Sequence, residues 1–235
     1  MSQKPRIYLD SDLSEGASVT LSEQHASYLI KVMRYKTGDT FFAFNNHAEY
    51  EAKILSYSKK NLVIECESLI RTATNNLKIT LAFAPVKNPN TAFYVQKATE
   101  LGATDLLPLI TERTIVRTVK RDKLRLISVE ATEQSEQFQP PIVHDALTLD
   151  KFLSTTASYN RIIFCDEARD SKRLAEALTS QQYNDLIMIG PEGGFSSTER
   201  ELIKALPNAV SVKLCDTVLR AETAMILGLG AYKML

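Results

Sequence analysis

The sequence predicts an α/β protein in two parts: a small β-rich N-terminal domain over residues 1–70 and a larger domain over 77–235. Three observations carry this expectation. Short apolar runs rich in β-branched residues, bounded by polar turns, recur along the whole chain. From Leu77 onward each such run is followed by a stretch of helical periodicity, the rhythm of a mostly parallel sheet with helices on both faces. Before Leu77, four strand-like runs and a single helical pattern are crowded together, which reads as a barrel-like domain.

Arg6-Ile-Tyr-Leu9 is the first strand. Thr20-Leu-Ser-Glu23 has the spacing of a capping box and opens a short helix whose apolar face is Leu29, Ile30, Val32 and Met33. Gly38-Asp39 makes a turn, and strands follow over 40–45, 50–57 and 62–67, joined by polar hairpin connections. The polar stretch 71–76 is the expected linker. In the second part, strands are expected at 77–84, 105–110, 161–167, 185–190 and 209–214. Helices are expected over Asn88–Leu101, closed by Gly102, over Ser128–Phe138, ahead of Pro140-Pro141, and over Ser171–Leu178. A further helix is opened by the capping box Ser196-Ser-Thr-Glu199, and the last begins near Arg220.

The bulk composition excludes several classes. Hydrophobic content of 44% and charged content of 24% are those of a globular chain rather than a disordered one. Twenty-eight basic residues balance 28 acidic ones, so any nucleic-acid contact has to rest on local patches. Cys66, Cys165 and Cys215 are far apart and lack metal or disulfide spacing, and His25, His47 and His144 are isolated. No metal is expected. The N-terminal residues carry no apolar core of signal-peptide length and no run approaches a membrane span, so a cytoplasmic protein with no membrane partner is expected.

Candidate chemistry gathers in the last fifth of the chain. Three of only eight glycines fall in the loop Gly190-Pro-Glu-Gly-Gly-Phe195, between a strand and a helix. Neither the P-loop nor the dinucleotide fingerprint fits it, and Glu192 would repel a phosphate, so a neutral or cationic ligand suits the loop better. A second loop delivers Arg220 and Glu222 to the start of a helix that is apolar on nearly all sides, the mark of burial in a core or subunit interface. Two such loops at the carboxyl ends of parallel strands make a ligand crevice. Arg113, Arg117, Lys120, Arg121, Lys123 and Arg125 outnumber Glu112 and Asp122, and this local excess marks a phosphate-contact patch; Lys31, Arg34 and Lys36 form a smaller one.

Gly190-Pro-Glu-Gly-Gly-Phe195 together with Leu219-Arg-Ala-Glu-Thr-Ala224 resembles the signature of the SPOUT-class 16S ribosomal RNA uracil-N3 methyltransferases. The likeness extends through His25, Val32-Met-Arg34 and Gly38-Asp39, through Lys97-Ala-Thr-Glu-Leu-Gly102, Pro108 and Thr111-Glu-Arg113, and through Glu133-Gln-Ser135. The resemblance implies a PUA-like RNA-binding barrel, a SPOUT α/β domain with a deep trefoil knot, and a homodimer that uses S-adenosyl-L-methionine to methylate a uridine of 16S rRNA in the small ribosomal subunit. It implies Arg220, Glu192 and Glu222 as the catalytic set. Cofactor contacts are expected from Cys165, Ile189, Gly190, Gly193, Gly194, Leu214, Cys215, Val218 and Leu219, and RNA contacts from Arg34, Arg113 and Arg117. Two departures stand out: Cys215-Asp-Thr217 replaces a Gly-Pro-Arg type sequence, and Glu136-Gln137 replaces Gly-Arg. They are the support for one rival reading, a knotted RNA-binding protein without turnover; a second rival, a SPOUT methyltransferase of another RNA, is disfavoured by the N-terminal barrel and the Lys97–Gly102 signature.

Overall fold

The computed structural model describes residues 4–58, 61–74, 77–86, 90–166 and 171–235. The expected helix start at Asn88 and part of the expected linker lie outside the described residues. The chain separates into two compact units, residues 1–75 with 132–139, and residues 76–131 with 140–235.

The first unit contains β1 (Arg6–Tyr8), β2 (Ser18–Leu21), α1 (Glu23–Ser27), a π-helical turn (Tyr28–Val32), β3 (Thr40–Phe44), β4 (Ala48–Tyr57) and β5 (Leu62–Thr72). The sheet runs β1-β3-β4-β5-β2, with β1 parallel to β3 and the other pairs antiparallel. Three register shifts along β4 and β5 bend this pair, as bulges do. Ile7, Leu21, Leu29, Phe41, Ile54, Leu62 and Ile64 fill its core.

The helix start differs from expectation. Thr20 and Leu21 belong to β2, a strand too short and too exposed to show in the pattern, and Ser22 caps α1 by accepting from His25 N at 3.3 Å. Past Ser27 the hydrogen bonds widen, Met33 N reaching Tyr28 O at 3.0 Å. The wider turn rotates the expected apolar face apart, so Leu29 is buried while Val32 is 66% exposed. Arg34 ends the turn in the left-handed region at φ 60°, and Tyr35 N closes onto Leu29 O.

The second unit contains β6 (Ile79–Phe83), α2 (Asn90–Glu100), β7 (Asp105–Ile110), α3 (Arg121–Gln134), β8 (Ile142–Val143), β9 (Leu147–Thr148), α4 (Leu149–Leu153), a 3-10 turn (Thr156–Ser158) and β10 (Ile162–Cys165). It continues with β11 (Lys172–Arg173), α5 (Leu174–Ala177), β12 (Asp185–Ile189), α6 (Ser197–Lys204), β13 (Ala209–Lys213) and α7 (Ala221–Lys233). Its strands are ordered β11-β13-β10-β12-β6-β7-β8, with β9 on β7, and every pair is parallel. Side chains alternate across the sheet: Ile163, Ile187 and Ile189 face one core with Tyr94 of α2 and Met225 and Leu229 of α7, while Phe164, Leu186 and Met188 face the other with Ile203 of α6. No helix among the described residues is long and apolar enough to cross a membrane.

The helix expected at Ser128–Phe138 runs instead over Arg121–Gln134. Its buried stripe, Leu124, Ser128 and Ala131, starts inside the basic run, so a charged first turn concealed the helix. The last residues of the helix, from Thr132, belong to the first unit. Arg6 is buried with its guanidinium 4.0 Å over the Phe44 ring, and its Nη atoms donate to the carbonyl oxygens of Thr132, Glu133 and Gln137. Glu49 accepts from Arg6 Nε at 2.5 Å and also pairs with Arg71, so one buried carboxylate answers two cations. Glu136 then turns the chain at φ 58°. The expected helix at Ser171–Leu178 shrinks to α5 behind the two-residue β11, and β8, β9 and α4 are too short for periodicity to reveal.

At the amino end of the sheet, Asp185 is fully buried. Arg161 Nε lies 3.1 and 3.2 Å from its two oxygens, Gln182 N donates at 3.2 Å, and Tyr232 Oη donates at 2.6 Å. The last bond ties the end of α7 to the start of β12. Tyr232→Phe leaves Asp185 one charge-assisted bond short, and we expect a loss of about 1.5–3 kcal/mol, read by urea denaturation.

Candidate active site

The position of β10 between β12 and β13 brings the carboxyl ends of three strands side by side, at a point where the order of the sheet departs from that of the chain. A crevice opens there with two adjoining lobes. One, of about 570 Å³, is lined by Cys165 and Asp166 after β10, by Lys213–Leu219 after β13, and by Ala224 of α7. The other, of about 420 Å³, shares Cys165, Asp166, Val218, Leu219 and Ala224 and adds Ile189–Glu192, Gly194, Phe195 and Arg220–Glu222. Volumes of this size accept a cofactor-sized molecule.

Glu192, from the loop after β12, thus shares one lobe with Arg220 and Glu222 at the start of α7. Arg220 is the N-cap residue of α7 with an extended backbone and makes no side-chain cap bond, and Glu222 follows in the first turn. Among the described residues, none of the three side chains has a hydrogen bond or an ion pair. Of the expected cofactor contacts, Ile189, Gly190 and Gly194 line this lobe, Leu214 and Cys215 line the other, and Cys165, Val218 and Leu219 line both. Gly193 does not line either; its carbonyl is turned away to accept from Arg113 Nη1 at 2.8 Å. Burial pushes the Cys165 thiol up to about 12, which keeps it a neutral, apolar wall.

The glycine loop is held from outside the crevice. Ser196 and Glu199 form the expected capping box, and Glu199 also accepts from Glu112 N at 2.7 Å. Thr111–Arg113 and the glycine loop are therefore one assembly. Arg113 and Arg117 are exposed beside it, Arg117 Nη2 donating to Glu112 O at 3.4 Å, while Arg34 is exposed on the first unit. The glycines do different things. Gly194 turns the loop at φ 67°. Gly190 admits the Phe195 ring, since a Cβ there would lie 2.7 Å from it.

Sequence reasoning passed over Asp166, which is 4% exposed and lines both lobes. Arg200 and Lys204 of α6 hold it at 2.7 and 2.9 Å. Its one signal was an acid directly after the apolar run of β10. The unusual Cys215-Asp-Thr217 loop is ordered by its own contacts: Asp216 pairs with Arg173 and, at 3.1 Å, with Lys213, and Cys215 Sγ donates to Thr217 O at 3.0 Å. Those cations hold the Asp216 carboxyl below its ordinary value. Among the described residues no group of His, Cys, Asp and Glu is arranged to hold a metal ion.

Comparison with known proteins matches this architecture. An RNA methyltransferase domain model covers residues 73–233, and an RNA methyltransferase PUA domain model covers residues 21–66. The class is therefore an RNA methyltransferase, with a PUA-like domain ahead of a parallel-sheet α/β domain. Ribosomal RNA small subunit methyltransferase E of Rickettsia conorii is 33% identical over 98% of this chain and 95% of its own length. A Legionella pneumophila methyltransferase solved with its cofactor SAM superposes with a TM-score of 0.90 at 28% identity, over 99% of this chain and 98% of the other. The Neisseria gonorrhoeae ribosomal RNA small subunit methyltransferase E bound to S-adenosyl methionine gives 0.87 at 26% identity, over 99% and 98%. The chain belongs to the ribosomal RNA small subunit methyltransferase E family.

Two of the three loop glycines, Gly190 and Gly193, separate in their expected tolerance. In Gly190→Ala the new methyl meets Phe195, which is buried and packed edge-on against Phe164 at 5.1 Å, so the ring has little room to yield. A loss of about 1–3 kcal/mol is expected. In Gly193→Ala the methyl finds ordinary 3.6 Å contact with Arg113, and stability should change by less than about 0.5 kcal/mol, both measured by urea denaturation.

Proposed function

We propose that this enzyme methylates N3 of a uridine in 16S ribosomal RNA of the small ribosomal subunit, using S-adenosyl-L-methionine. The observation that carries the reading is the convergence of Arg220, Glu192 and Glu222 on one lobe, with none of their side chains hydrogen-bonded or ion-paired among the described residues. The crevice fits the cofactor in chemistry as well as size: Leu214, Val218 and Leu219 offer apolar surface to a purine, and two carboxylates favour a sulfonium cation. Bound there, S-adenosylmethionine supplies an electrophilic methyl group. The chain must then take the N3 proton and steady the negative charge that spreads onto the flanking carbonyl oxygens of the base. Arg220 is assigned the second task, as an exposed cation that lines the crevice and has no ion pair among the described residues. Glu222, half-buried in the first turn of α7, is assigned the proton, and the exposed Glu192 orients the base.

The finer architecture belongs to the same reading. The interleaved strand order β13-β10-β12, with α7 returning against α2, α5 and β12, supports a deep trefoil knot that would hold the three cofactor loops. The bent five-stranded sheet supports a PUA-like barrel, and the expected division at 1–70 and 77–235 assigns RNA capture to one domain and chemistry to the other. Ile226, Leu227 and Met234 leave apolar surface exposed on and after α7, which supports a homodimer through this helix. A ribosomal RNA substrate supports the expected cytoplasmic location.

The test is methyl transfer from labelled S-adenosylmethionine to small ribosomal subunits lacking the modification, with the product nucleoside identified. 3-Methyluridine is expected, and Arg220→Ala should lower its rate by about 100- to 1,000-fold. A different methylated nucleoside would overturn the assignment.

Arg34, Arg113 and Arg117 are proposed to clamp phosphates. Because Arg113 also braces the glycine loop, Arg34→Glu and Arg117→Glu are the cleaner variants. Each should weaken RNA binding and reduce the slope of log K against log salt by about 0.7–0.9, with cofactor affinity unchanged by calorimetry.

A further inference from the structure

Tyr94 of α2 is fully buried, and its Oη has no hydrogen-bond partner among the described residues. A buried hydroxyl left unmade is a standing cost to the fold, so its retention calls for a reason. Its position supplies one. The ring packs tilted against Phe83 with centroids 5.9 Å apart, and Phe83 is the last residue of β6, paired with Ile189 immediately before Gly190. The helix that carries it packs against α7, whose first turn holds Glu222. The residue is therefore packed between the strand end that leads into the glycine loop and the helix that carries Glu222.

Burial, then the charges of Glu222 and Glu192 in that order, drive the phenol far above its ordinary range. Tyr94 is accordingly a neutral hydrogen-bond donor within the field of two carboxylates. Glu222 is half-buried and has no hydrogen-bond or ion-pair partner among the described residues, so nothing fixes its carboxylate where it stands.

We propose that Tyr94 is a positioning residue whose hydroxyl is held in reserve as the donor for the Glu222 carboxylate when that side chain turns inward during reaction. The bond orients one carboxylate oxygen and leaves the other for the uracil N3 proton. This rests on the role given to Glu222 above.

The experiment is Tyr94→Phe, which removes one oxygen and keeps the packed ring. A fall in kcat of about 10- to 100-fold is expected, the worth of one hydrogen bond to a charged group, with KM for S-adenosylmethionine unchanged and the melting temperature unchanged or raised. In a Glu222→Gln background the same substitution should alter the residual single-turnover rate by less than about threefold, because the coupled partner is already gone. An unimpaired kcat, a lowered melting temperature, or full additivity with Glu222→Gln would each overturn the inference. A fully active Glu222→Gln overturns the role of Glu222 itself. An inactive Glu222→Gln beside an unimpaired Tyr94→Phe overturns only the role of Tyr94.

Discussion

The placement of β10 between β12 and β13 is the constraint on which the site depends. These three strands are parallel and in register, Ile163 beside Ile187 on one side and Val210 on the other, so their carboxyl ends finish at one level. The glycine loop, the Cys215-Asp-Thr217 loop and the acid after Cys165 are neighbours because of that pairing alone. Parallel strands need long crossovers, and here the crossovers are the segments that carry α6, α7 and the chemistry. A substitution that shifted β10 by one residue would turn Ile163 and Phe164 to opposite cores and separate the loops as well.

Helix α7 makes the crevice and the core one object. At Gly228 it passes so close to the three strand ends that a methyl group would touch Cys165, Ile189 and Leu214 at 3.6–3.7 Å. At its far end Tyr232 is bonded to Asp185, beneath the opposite edge of the sheet. Only the first turn, with Arg220 and Glu222, faces the cavity. A helix fixed along its length and open at its start can hold two charged groups in place without spending either on the fold.

Much of this was legible before any coordinates. The strands of the second unit are continuous apolar runs because they are buried on both faces, and such runs survive as signals in a single sequence. The glycine loop was visible as a local concentration of a scarce residue. What was not legible has physical causes. The first turn of α3 is charged and its end is fixed by Arg6, far away in sequence, so no local pattern marks either boundary. Val32 points outward because a π-turn changed the period, which no 3.6-residue template detects. Asp166 and Tyr94 matter through burial and neighbours, and composition carries neither.

The distribution of partners among the carboxylates separates fold from chemistry. Glu49 is shared by Arg6 and Arg71, Asp185 by Arg161 and Tyr232, Asp166 by Arg200 and Lys204, and Glu199 accepts two backbone amides. Asp105, which burial alone would push up, is brought below its ordinary value by His144, Thr104 and Lys78. Each of these acids is deeply buried, and each would be expensive without its partners. Glu192 and Glu222 differ on both counts: they reach solvent through the crevice, and no group among the described residues claims them by hydrogen bond or ion pair. An acid that the fold has already neutralised has little left to offer a substrate. Glu192 and Glu222 share their lobe with Arg220, which has no such partner among the described residues either, and the proposed reaction needs a proton taken from one atom of a base and charge met at another.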